Sequence, residues 1–589
     1  MCGIAGWLSH RTAQPAPEVL GRMLDIMRHR GPDDRGEYLA PSGTLALGQL
    51  RLSIIDLSAA SHQPMIDAAS GVVLAYNGEL YNFRELRADL MALGHSFLSS
   101  GDTEVVLRSY LQWGSACFTR FAGMFALGLW DPRSASLHLA RDPMGMKPLY
   151  YSATDAAVVF ASEIKAFKAM PGSPLRVSQG GLRQYLEFGY VFEEGATIFD
   201  GIHKLPPGHR AEVRAGQAPR LHAYFSAPAP SADDRRGESE RVEELSSVLS
   251  EVTAQHLIAD VPIGLLLSGG LDSSLVAALA ARSGPLLTIS MGFADSAIDE
   301  RPQARQVADY IGSRHMEILI TPQQVMDEVD SGAWVFDDLF ADWGTVTTRL
   351  MYRRCREQGI KVVLVGEGAD ELFGGYGAFQ APEKLGLWQM FRLYQRYAGR
   401  RHGALFGRFR QVMNEYLVEG GGDTFHAVRL FESRRQLPNQ YVMKVDKASM
   451  AESIEARAPY LDRRVAELAY RTPRAWLLRG GENKYLMRAL ARRDALLPAQ
   501  ISARSKFGAS VAASWMDDNA IFRAYARERL VDGTWCRRLG LDGAMRDFFD
   551  RGQQGRAFPH ALSLYSNLAW RLLLLELWSP HYLEAPAHA

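Results

Sequence analysis

The segment GLLLSGGLDSSLVAAL (264–279) constrains the fold most, because an apolar strand pattern passes through a Gly-rich turn directly into a helix pattern. The following segments continue this alternation, since the strand patterns PLLTISMGF and KVVLVGEG are separated by the helix pattern ARQVADYIGS. Strands that alternate with helices predict a parallel sheet covered by helices. We therefore expect an α/β domain, followed beyond about residue 378 by long helical segments.

The N-terminal part has a different pattern, in which short apolar runs are separated by turn residues up to about residue 205. Strands dominate this pattern, and helices are expected at 17–29, 83–94 and 103–113. The segment FSAPAPSADDRRGESER (225–241) is rich in Pro, Ser and charge and predicts a linker. The predicted division is a first domain at 1–208, a connecting segment and linker at 209–240, and a second domain at 241–589.

Composition excludes several classes of protein. The 589 residues carry 66 Lys+Arg and 66 Asp+Glu, so no net charge favours nucleic acid or an anionic membrane. Four scattered cysteines are too few for a disulfide framework, and the N-terminus lacks the regions of a signal peptide. The most apolar stretch, LAWRLLLLELW (568–578), is too short to span a bilayer and predicts a buried helix. We expect a cytoplasmic protein whose partners are small-molecule substrates, not nucleic acid or membranes.

The Gly-rich turn predicts an anion site, because backbone N–H groups converge at the start of a helix. It is not a Walker A loop, since no Lys follows the glycines. Its hydroxyl, amide and carboxylate groups suit pyrophosphate and its magnesium better than a transferable γ-phosphate. They belong to Ser268, Gly269, Gly270, Asp272, Ser273 and Ser274. A turn that only caps a helix is the alternative.

Cys2 stands directly behind the initiator methionine in MCGIAG. Removal of Met1 would leave a thiol and a free α-amine on one residue, and an α-amine that titrates near pH ~8 can take the thiol proton. Cys2 would then be a nucleophile with its own base. A small buried hydrophobe and a lipid-anchored cysteine are the alternatives, and position alone does not separate the three interpretations.

Taken together, the motifs resemble those of the class-B, glutamine-hydrolysing asparagine synthetase family, over nearly the whole chain and in the expected order. The resemblance rests on MCGIAG, RHRGPD, RLSIIDL, YNGELYN and GDTEVVL, then on LLSGGLDSS, VLVGEGADELFGGY, KVDKASMAESIEARAPYLD and ENKYLMRAL. It implies an α+β glutaminase of the N-terminal-nucleophile (Ntn) hydrolase type, with layered antiparallel sheets and helices. An α/β ATP-pyrophosphatase domain with a parallel sheet and a helical region would follow. A homodimer is a further expectation for the family.

For the second half, the resemblance implies ATP and Mg²⁺ as cofactors. Glu367 would assist formation of an acyl-adenylate and deprotonate the incoming ammonia, and Lys484 would neutralise the leaving pyrophosphate. Asp272 and Asp370 would ligate Mg²⁺. The implied ATP-binding residues are Leu267, Ser268, Gly269, Gly270, Asp272, Ser273, Met291, Val365 and Gly366. Without the resemblance, Lys484 could equally be a solvated surface lysine.

For the first half, the resemblance implies that Cys2 attacks the side-chain amide of glutamine, forms a thioester and releases ammonia. The Asn77 side chain and the Gly78 N–H would stabilise the oxyanion. Glutamine would be bound by Arg51, Asn77, Gly78, Glu79 and Asp102. The arginine would pair with its α-carboxylate and Asp102 with its α-ammonium. Ammonia must then reach the acyl-adenylate unprotonated, which implies an apolar passage between the halves.

Of the substrates, the acceptor carboxylate is the one that the sequence identifies least well. The reason is that departures from the family pattern fall partly where the acceptor should bind. The departures are Pro143, Met144, Asp338, Leu339, Trp343, Gly344, Val365, Asn439, Gln440, Ala458 and Tyr460. The charged residues available for an amino acid are Asp337, Asp342, Glu455, Arg457 and Asp462. The rings of Trp343 and Tyr460 could instead stack on a sugar. We expect aspartate, which gives asparagine; a sugar acid, a small peptide and a non-catalytic chain with the same fold are the alternatives.

Overall fold

The computed structural model describes residues 2–10, 16–172, 175–230, 234–293, 299–342, 344–379, 386–394, 403–504, 516, 519–551 and 559–583. The strands of the first half are β1 Gly3–Ser9, β2 Asp34–Leu39, β3 Leu45–Arg51, β4 Met65–Ile66, β5 Val73–Leu80, β6 Gly123–Asp131, β7 Ser136–Arg141, β8 Tyr150–Ala153, β9 Ala157–Ala161, β10 His203–Lys204, β11 His209–Arg214 and β12 Arg220–Ala223. They form two six-stranded sheets, ordered β10-β8-β9-β1-β3-β2 and β12-β11-β7-β6-β5-β4. Neighbouring strands in both sheets are antiparallel.

Because side chains alternate along each strand, each sheet places one face in a core that it shares with the other sheet. In β1, Ile4 and Leu8 belong to the core between the sheets, whereas Ala5 and Trp7 belong to a core on the other face. The α-helices of this half are Glu18–Ile26, Phe83–Ala92, Asp102–Trp113 and Gln179–Phe188. The first contacts β1 and β3, and the third contacts β5. Layered antiparallel sheets with helices are thus confirmed, as are helices near the three predicted positions.

The second half contains a five-stranded parallel sheet ordered β15-β14-β13-β16-β17. Its strands are β13 Ile263–Leu266, β14 Leu287–Phe293, β15 Arg314–Ile320, β16 Val362–Leu364 and β17 Glu455–Arg457. A hairpin, β18 Leu478–Arg479 and β19 Glu482–Asn483, lies outside this sheet. The predicted parallel sheet is confirmed, but the sequence analysis did not identify β15 and β17. In β17 two of three residues are charged, which hides the strand pattern.

Helices cover this sheet and form the rest of the chain. Up to residue 394 they are Glu238–His256, Leu271–Ala281, Arg301–Ile311, Pro322–Gly332, Gly344–Glu357, Ala369–Phe373 and Leu387–Tyr394. Beyond it they are Gly403–Glu419, Thr424–Phe431, Val442–Met450, Arg463–Arg471, Arg474–Leu477, Tyr485–Arg493, Ala499–Ala503, Ala520–Leu530, Thr534–Arg538, Asp542–Arg551 and Pro559–Tyr582. A π-helical segment, Glu432–Tyr441, leads directly into Val442–Met450.

The C-terminal helix Pro559–Tyr582 contains the predicted apolar segment, and its Leu572, Leu575 and Trp578 are buried. Among the described residues, no helix combines the length and the apolar character that crossing a membrane requires.

The connection between the halves differs in detail from the prediction. Strands β11 and β12 continue the second sheet past residue 208, since β11 pairs with β7 from Arg210 to Arg214. A boundary at 208 would divide this sheet, so we propose that the first domain ends after Ala223. Helix Glu238–His256 begins before the predicted end of the linker, where the Gly237 N–H donates to Glu240 Oε2 at 2.8 Å.

Candidate active sites

Cys2 precedes β1 and is buried, with 6 % of its surface exposed. Its backbone N–H donates to Asn77 Oδ1 on β5 at 2.9 Å, and its carbonyl accepts from Arg30 Nε at 3.1 Å. Burial raises the pKa of the Cys2 thiol, whereas the Leu52 backbone and the Arg51 guanidinium act in the opposite direction. The thiol therefore lies in a water-poor site beside a cation and a side-chain amide.

Asn77 supplies a buried donor beside Cys2. Its Oδ1 accepts from Cys2, but its Nδ2 has no hydrogen-bond partner among the residues that the structure describes. An unpaired buried donor is costly unless a ligand uses it. Gly78 follows, and a Cβ there would lie 2.3 Å from the Met124 carbonyl of β6, so glycine is required for the two strands to pair closely.

The two residues predicted to bind the ends of glutamine lie in different surroundings. Arg51, at the end of β3, donates to the carbonyls of Ser58 at 3.2 Å and Ile55 at 3.4 Å, and to that of Asp56, so it also holds the loop after β3. Asp102 Oδ2 accepts from the Leu80 N–H at 2.8 Å and the Tyr76 hydroxyl at 3.2 Å.

Burial raises the pKa of Asp102 to about 6, although those two hydrogen bonds act in the opposite direction. The Asp102 carboxylate is thus ionised at neutral pH, but it titrates at a pH that an activity assay can reach. An ionised carboxylate in a buried site is suited to pair with an ammonium group.

Glu79 contacts the other half of the chain. Arg457 Nη2 lies 3.5 Å from Glu79 Oε2, and Arg457 Nε donates to Glu455 Oε1 at 2.6 Å. All three side chains are buried. Burial and the Glu455 charge raise the pKa of Glu79 well above its usual range. The sequence analysis named Glu455 and Arg457 as charged residues that are available to bind an amino-acid acceptor. Instead they form a charged contact with the Cys2 half, because β17 is the edge strand that faces it.

The Gly-rich turn joins β13 to helix Leu271–Ala281. Gly269 has φ +69°, and a Cβ there would lie 2.6 Å from the Gln303 Cβ, so this position requires glycine. The Ser273 hydroxyl accepts from the Ser268 N–H at 3.1 Å and lies 2.9 Å from the Ser268 hydroxyl.

Tyr460 is fully buried behind this turn, where its hydroxyl donates to the Asp272 carbonyl at 3.0 Å. The suggestion that its ring could stack on a sugar is therefore wrong, and Trp343 lies outside the described residues.

Lys484 connects the turn to the segment after β16. Its Nζ lies 2.6 Å from Asp272 Oδ2 and 2.5 Å from Asp370 Oδ1. The two carboxylates raise the pKa of Lys484, although its burial acts in the opposite direction. Lys484 itself has φ +55°, and its side chain is 6 % exposed, so it is not a solvated surface lysine. Two carboxylates beside the Gly-rich turn fit Mg²⁺, whose remaining ligands are usually waters and substrate phosphates.

Two cavities meet at this cluster. One, of about 690 Å³, is lined by Ser268, Gly270, Leu271, Asp272, Glu300, Asp370, Gly375, Tyr376, Gly377, Gly481, Glu482, Asn483, Lys484, Arg488, Ala503 and Arg504. The other, of about 370 Å³, is lined by Leu266, Leu267, Ser268, Asp272, Ser273, Ile289, Met291, Glu300, Met351, Val365, Gly366, Glu367, Gly368, Asp370, Glu371, Tyr376 and Tyr441. The predicted ATP-binding residues, apart from Gly269, line one or both cavities. Arg488 and Arg504 are cations at the first cavity to which the sequence analysis gave no role: Arg488 lies within the quoted motif ENKYLMRAL, and no quoted motif contains Arg504.

Glu367 lines the smaller cavity. Burial raises the pKa of Glu367, and the charge of Lys444 opposes this shift. A carboxylate with a raised pKa in a cavity is suited to accept a proton and later release it.

Two family models match the chain, one in each half. Residues 244–580 match the model of the family described as asparagine synthase, and residues 1–225 match the glutamine amidotransferase domain. The chain belongs to the asparagine synthase family. A putative glutamine-hydrolysing asparagine synthetase of Mycobacterium tuberculosis is 31% identical over 99% of this chain and 98% of its own length. Asparagine synthetase 1 of Bacillus subtilis is 30% identical over 86% of each chain, and amidase chyE of Penicillium rubens is 33% identical over 65% of this chain and 60% of its own length.

Membership of the asparagine synthase family makes the chain a ligase that uses glutamine as amide donor and ATP as its energy source. The N-terminal sheets are then its amidotransferase domain, and the parallel sheet with its Gly-rich turn is its synthetase domain.

A buried ionic cluster, here called the Arg30 cluster, joins the two domains. Its members are Arg30, Glu163 and Lys165 from the amidotransferase domain and Asp337, Asp446 and Lys447 from the synthetase domain. Arg30 Nη1 lies 2.9 Å from both Glu163 Oε1 and Asp446 Oδ2. Asp337 pairs with Lys447 and accepts from the Lys165 N–H at 3.0 Å. Sequence reasoning missed this cluster because its contacts between the domains join residues more than 100 positions apart, although Arg30 lies in the quoted motif RHRGPD.

Replacing Arg457 tests the charged contact between the domains. Arg457→Met leaves Glu79 and Glu455 buried without their shared cation, so we expect a loss of about 3–5 kcal/mol in the free energy of unfolding at pH 8. Protonation of the carboxylates offsets this loss at pH 5, where the variant should be closer to wild type. Denaturant titrations at both pH values measure the effect.

Arg434→Met is the matched control, because Arg434 pairs with Glu419 on the surface, with 29% and 40% of the side chains exposed. Its effect should stay below about 1 kcal/mol at both pH values. A pH-independent effect of Arg457→Met, or one as small as that of the control, would contradict the assignment of this contact.

Proposed function

We propose that the chain synthesises asparagine from aspartate, glutamine and ATP, with release of glutamate, AMP and pyrophosphate. One observation carries the proposal: the chain combines a buried thiol beside an unpaired amide donor with an anion-binding turn whose carboxylates share Lys484. The first arrangement suits release of ammonia from glutamine, and the second suits cleavage of ATP to pyrophosphate. The cytoplasmic location and the homodimer stay predictions.

In the amidotransferase site, the Cys2 sulfur attacks the side-chain amide carbon of glutamine. The Asn77 Nδ2 group and the Gly78 N–H donate to the oxyanion that develops there. In the processed chain that the sequence predicts, the nitrogen of Cys2 that now donates to Asn77 is the α-amine, which takes the thiol proton and gives it to the leaving ammonia. Water then hydrolyses the thioester to glutamate. Arg51, Asp102 and Glu79 hold the amino-acid end of glutamine.

In the synthetase site, the adenine and ribose of ATP lie against Leu267, Met291, Val365 and Gly366, and the phosphates lie on the turn Ser268–Ser273. Asp272 and Asp370 would hold Mg²⁺, which when bound would neutralise phosphate charge. The acceptor carboxylate displaces pyrophosphate from the α-phosphorus, and Lys484 stabilises the leaving charge. Glu367 takes a proton as ammonia attacks the acyl-adenylate.

Aspartate is the acceptor that the surroundings of Glu367 favour. The buried position of Tyr460 removes one aromatic ring that had suggested a sugar. Charged residues, Lys444 and Asp342, lie on the elements around the cavity instead. Some relatives are named amidases, so a different carboxylate is the second outcome that the experiments below can reveal.

The first experiment separates the two half-reactions. Cys2→Ala should abolish asparagine formation from glutamine, by at least about 1000-fold, because the thiol is the nucleophile. It should leave synthesis from ammonium salt, aspartate and ATP within about twofold of wild type. Chromatographic assay of asparagine, AMP and pyrophosphate checks both. Loss of both activities in a folded variant would contradict the proposed division, and ADP with phosphate as products would contradict adenylation.

The second experiment follows the titration of Asp102, whose pKa burial raises to about 6. Glutamine needs the ionised carboxylate, so kcat/KM for glutamine hydrolysis should fall up to tenfold per pH unit below about pH 6. Tyr76→Phe removes a hydrogen bond that favours the ionised form and should move this acid limb to higher pH. Asp102→Asn should lower kcat/KM and remove the limb. An unchanged limb in either variant would show that another group controls glutamine binding.

A further inference from the structure

Lys444 and Asp342 lie beside the cavity that contains Glu367. Lys444 belongs to helix Val442–Met450, and its Nζ lies 5.8 Å from the ring centroid of Tyr441, which lines this cavity. Asp342 precedes helix Gly344–Glu357, whose Met351 lines the same cavity. Lys444 Nζ is 3.4 Å from Asp342 Oδ1. A cation and an anion thus meet on two separate elements, each next to a residue or helix that lines this cavity.

The pair differs from an otherwise similar pair one helical turn away. Lys447 and Asp337 are fully buried and in close contact, so their charges are satisfied by each other. Lys444 and Asp342 are 16% and 18% exposed, and their 3.4 Å separation is long for a charge-assisted hydrogen bond. Asp342 Oδ1 also accepts from the Gly344 N–H at 2.7 Å, which fixes this carboxylate at the start of helix Gly344–Glu357. A lysine held loosely beside a fixed carboxylate, with both groups accessible to solvent, can pair with a ligand at less cost than a member of a buried pair can.

Other charged groups near the smaller cavity are more tightly engaged. Lys484 is held by Asp272 and Asp370 at 2.6 and 2.5 Å. Arg349, on the same helix as Met351, pairs with Glu328 and, at 3.1 Å, with Glu452. Lys444 is therefore well placed to receive a carboxylate, and its charge already acts on Glu367.

We propose that Lys444 and Asp342 bind the α-carboxylate and the α-ammonium of an amino-acid acceptor whose side-chain carboxylate is activated beside Glu367. This inference rests on the proposed function, because it names how that site selects aspartate. A free amino acid brings one charge of each sign on one carbon, which matches a lysine and an aspartate that lie side by side. Lys444 then moves from Asp342 to the α-carboxylate of the ligand, and Asp342 pairs with the α-ammonium.

The pair also selects against other carboxylates. A uronic acid brings no ammonium, so Asp342 would be left beside an uncharged sugar or a second anion. A ligand without the α-carboxylate would leave Lys444 without its new partner. Selectivity then arises from unpaired charges in the wrong complex as well as from attraction in the right one.

The test uses ammonia-dependent pyrophosphate release, so that glutamine hydrolysis does not limit the reaction. The acceptors are aspartate, succinate, which lacks the ammonium, and 3-aminopropanoate, which lacks the α-carboxylate. Wild type should prefer aspartate to both analogues by at least about 30-fold. Lys444→Gln should raise KM for aspartate by about 30-fold or more and reduce the preference over 3-aminopropanoate. Asp342→Asn should instead reduce the preference over succinate.

Lys361→Gln is the matched control, because Lys361 forms an exposed ion pair with Asp33, with 38% and 28% of the side chains exposed. Its KM for aspartate should match that of wild type, and glutamine hydrolysis should be normal in all variants, which shows that they fold. A wild-type enzyme that ignores aspartate but uses a sugar acid or a peptide would overturn the proposed acceptor. A wild-type enzyme that uses aspartate, with unchanged KM and analogue preferences in both variants, would overturn the Lys444–Asp342 site alone.

Discussion

The relation between the two active sites depends on the buried guanidinium of Arg30. It contacts the Cys2 carbonyl, Glu163 of its own domain and Asp446 of the synthetase domain. Removing these charges from water costs several kcal/mol per ion, so such a group contributes little net stability. Its geometry is restrictive, because each carboxylate must meet one edge of a planar cation. The cluster therefore fixes how the domains are oriented, and with them the position of the thiol relative to the parallel sheet.

The same cluster reaches the elements that carry the proposed acceptor residues. Asp337 binds the backbone of Lys165 and the side chain of Lys447, so the segment before Asp342 and the helix of Lys444 are both held against the amidotransferase domain. Arg457 makes a second charged contact at β17. The domains thus meet through paired charges close to both sites, and these contacts hold the two sites in one fixed relation, across which we propose that ammonia passes.

The sequence predicted the elements whose cause is local. The Gly-rich turn was predictable because an apolar strand, glycines at a tight approach and a helix follow one another within 264–279. Long-range pairs were not predictable, because no sequence pattern near Arg30 or Arg457 indicates which carboxylate of the other domain each arginine contacts. Tyr460 was misread for the same reason, since its position behind the turn depends on tertiary packing. The charged strand β17 shows that burial with a partner can override strand propensity.

Isotopic competition tests the central claim, that ammonia passes from Cys2 to the acyl-adenylate inside the protein. Glutamine labelled with ¹⁵N in its side-chain amide is supplied with aspartate, ATP and an excess of unlabelled ammonium, and mass spectrometry measures the label in asparagine. If ammonia stays within the molecule, the product amide keeps most of the label. If it escapes and mixes with the solvent pool, the label falls to the fraction in that pool, and the account of two sites joined across the domain interface is contradicted.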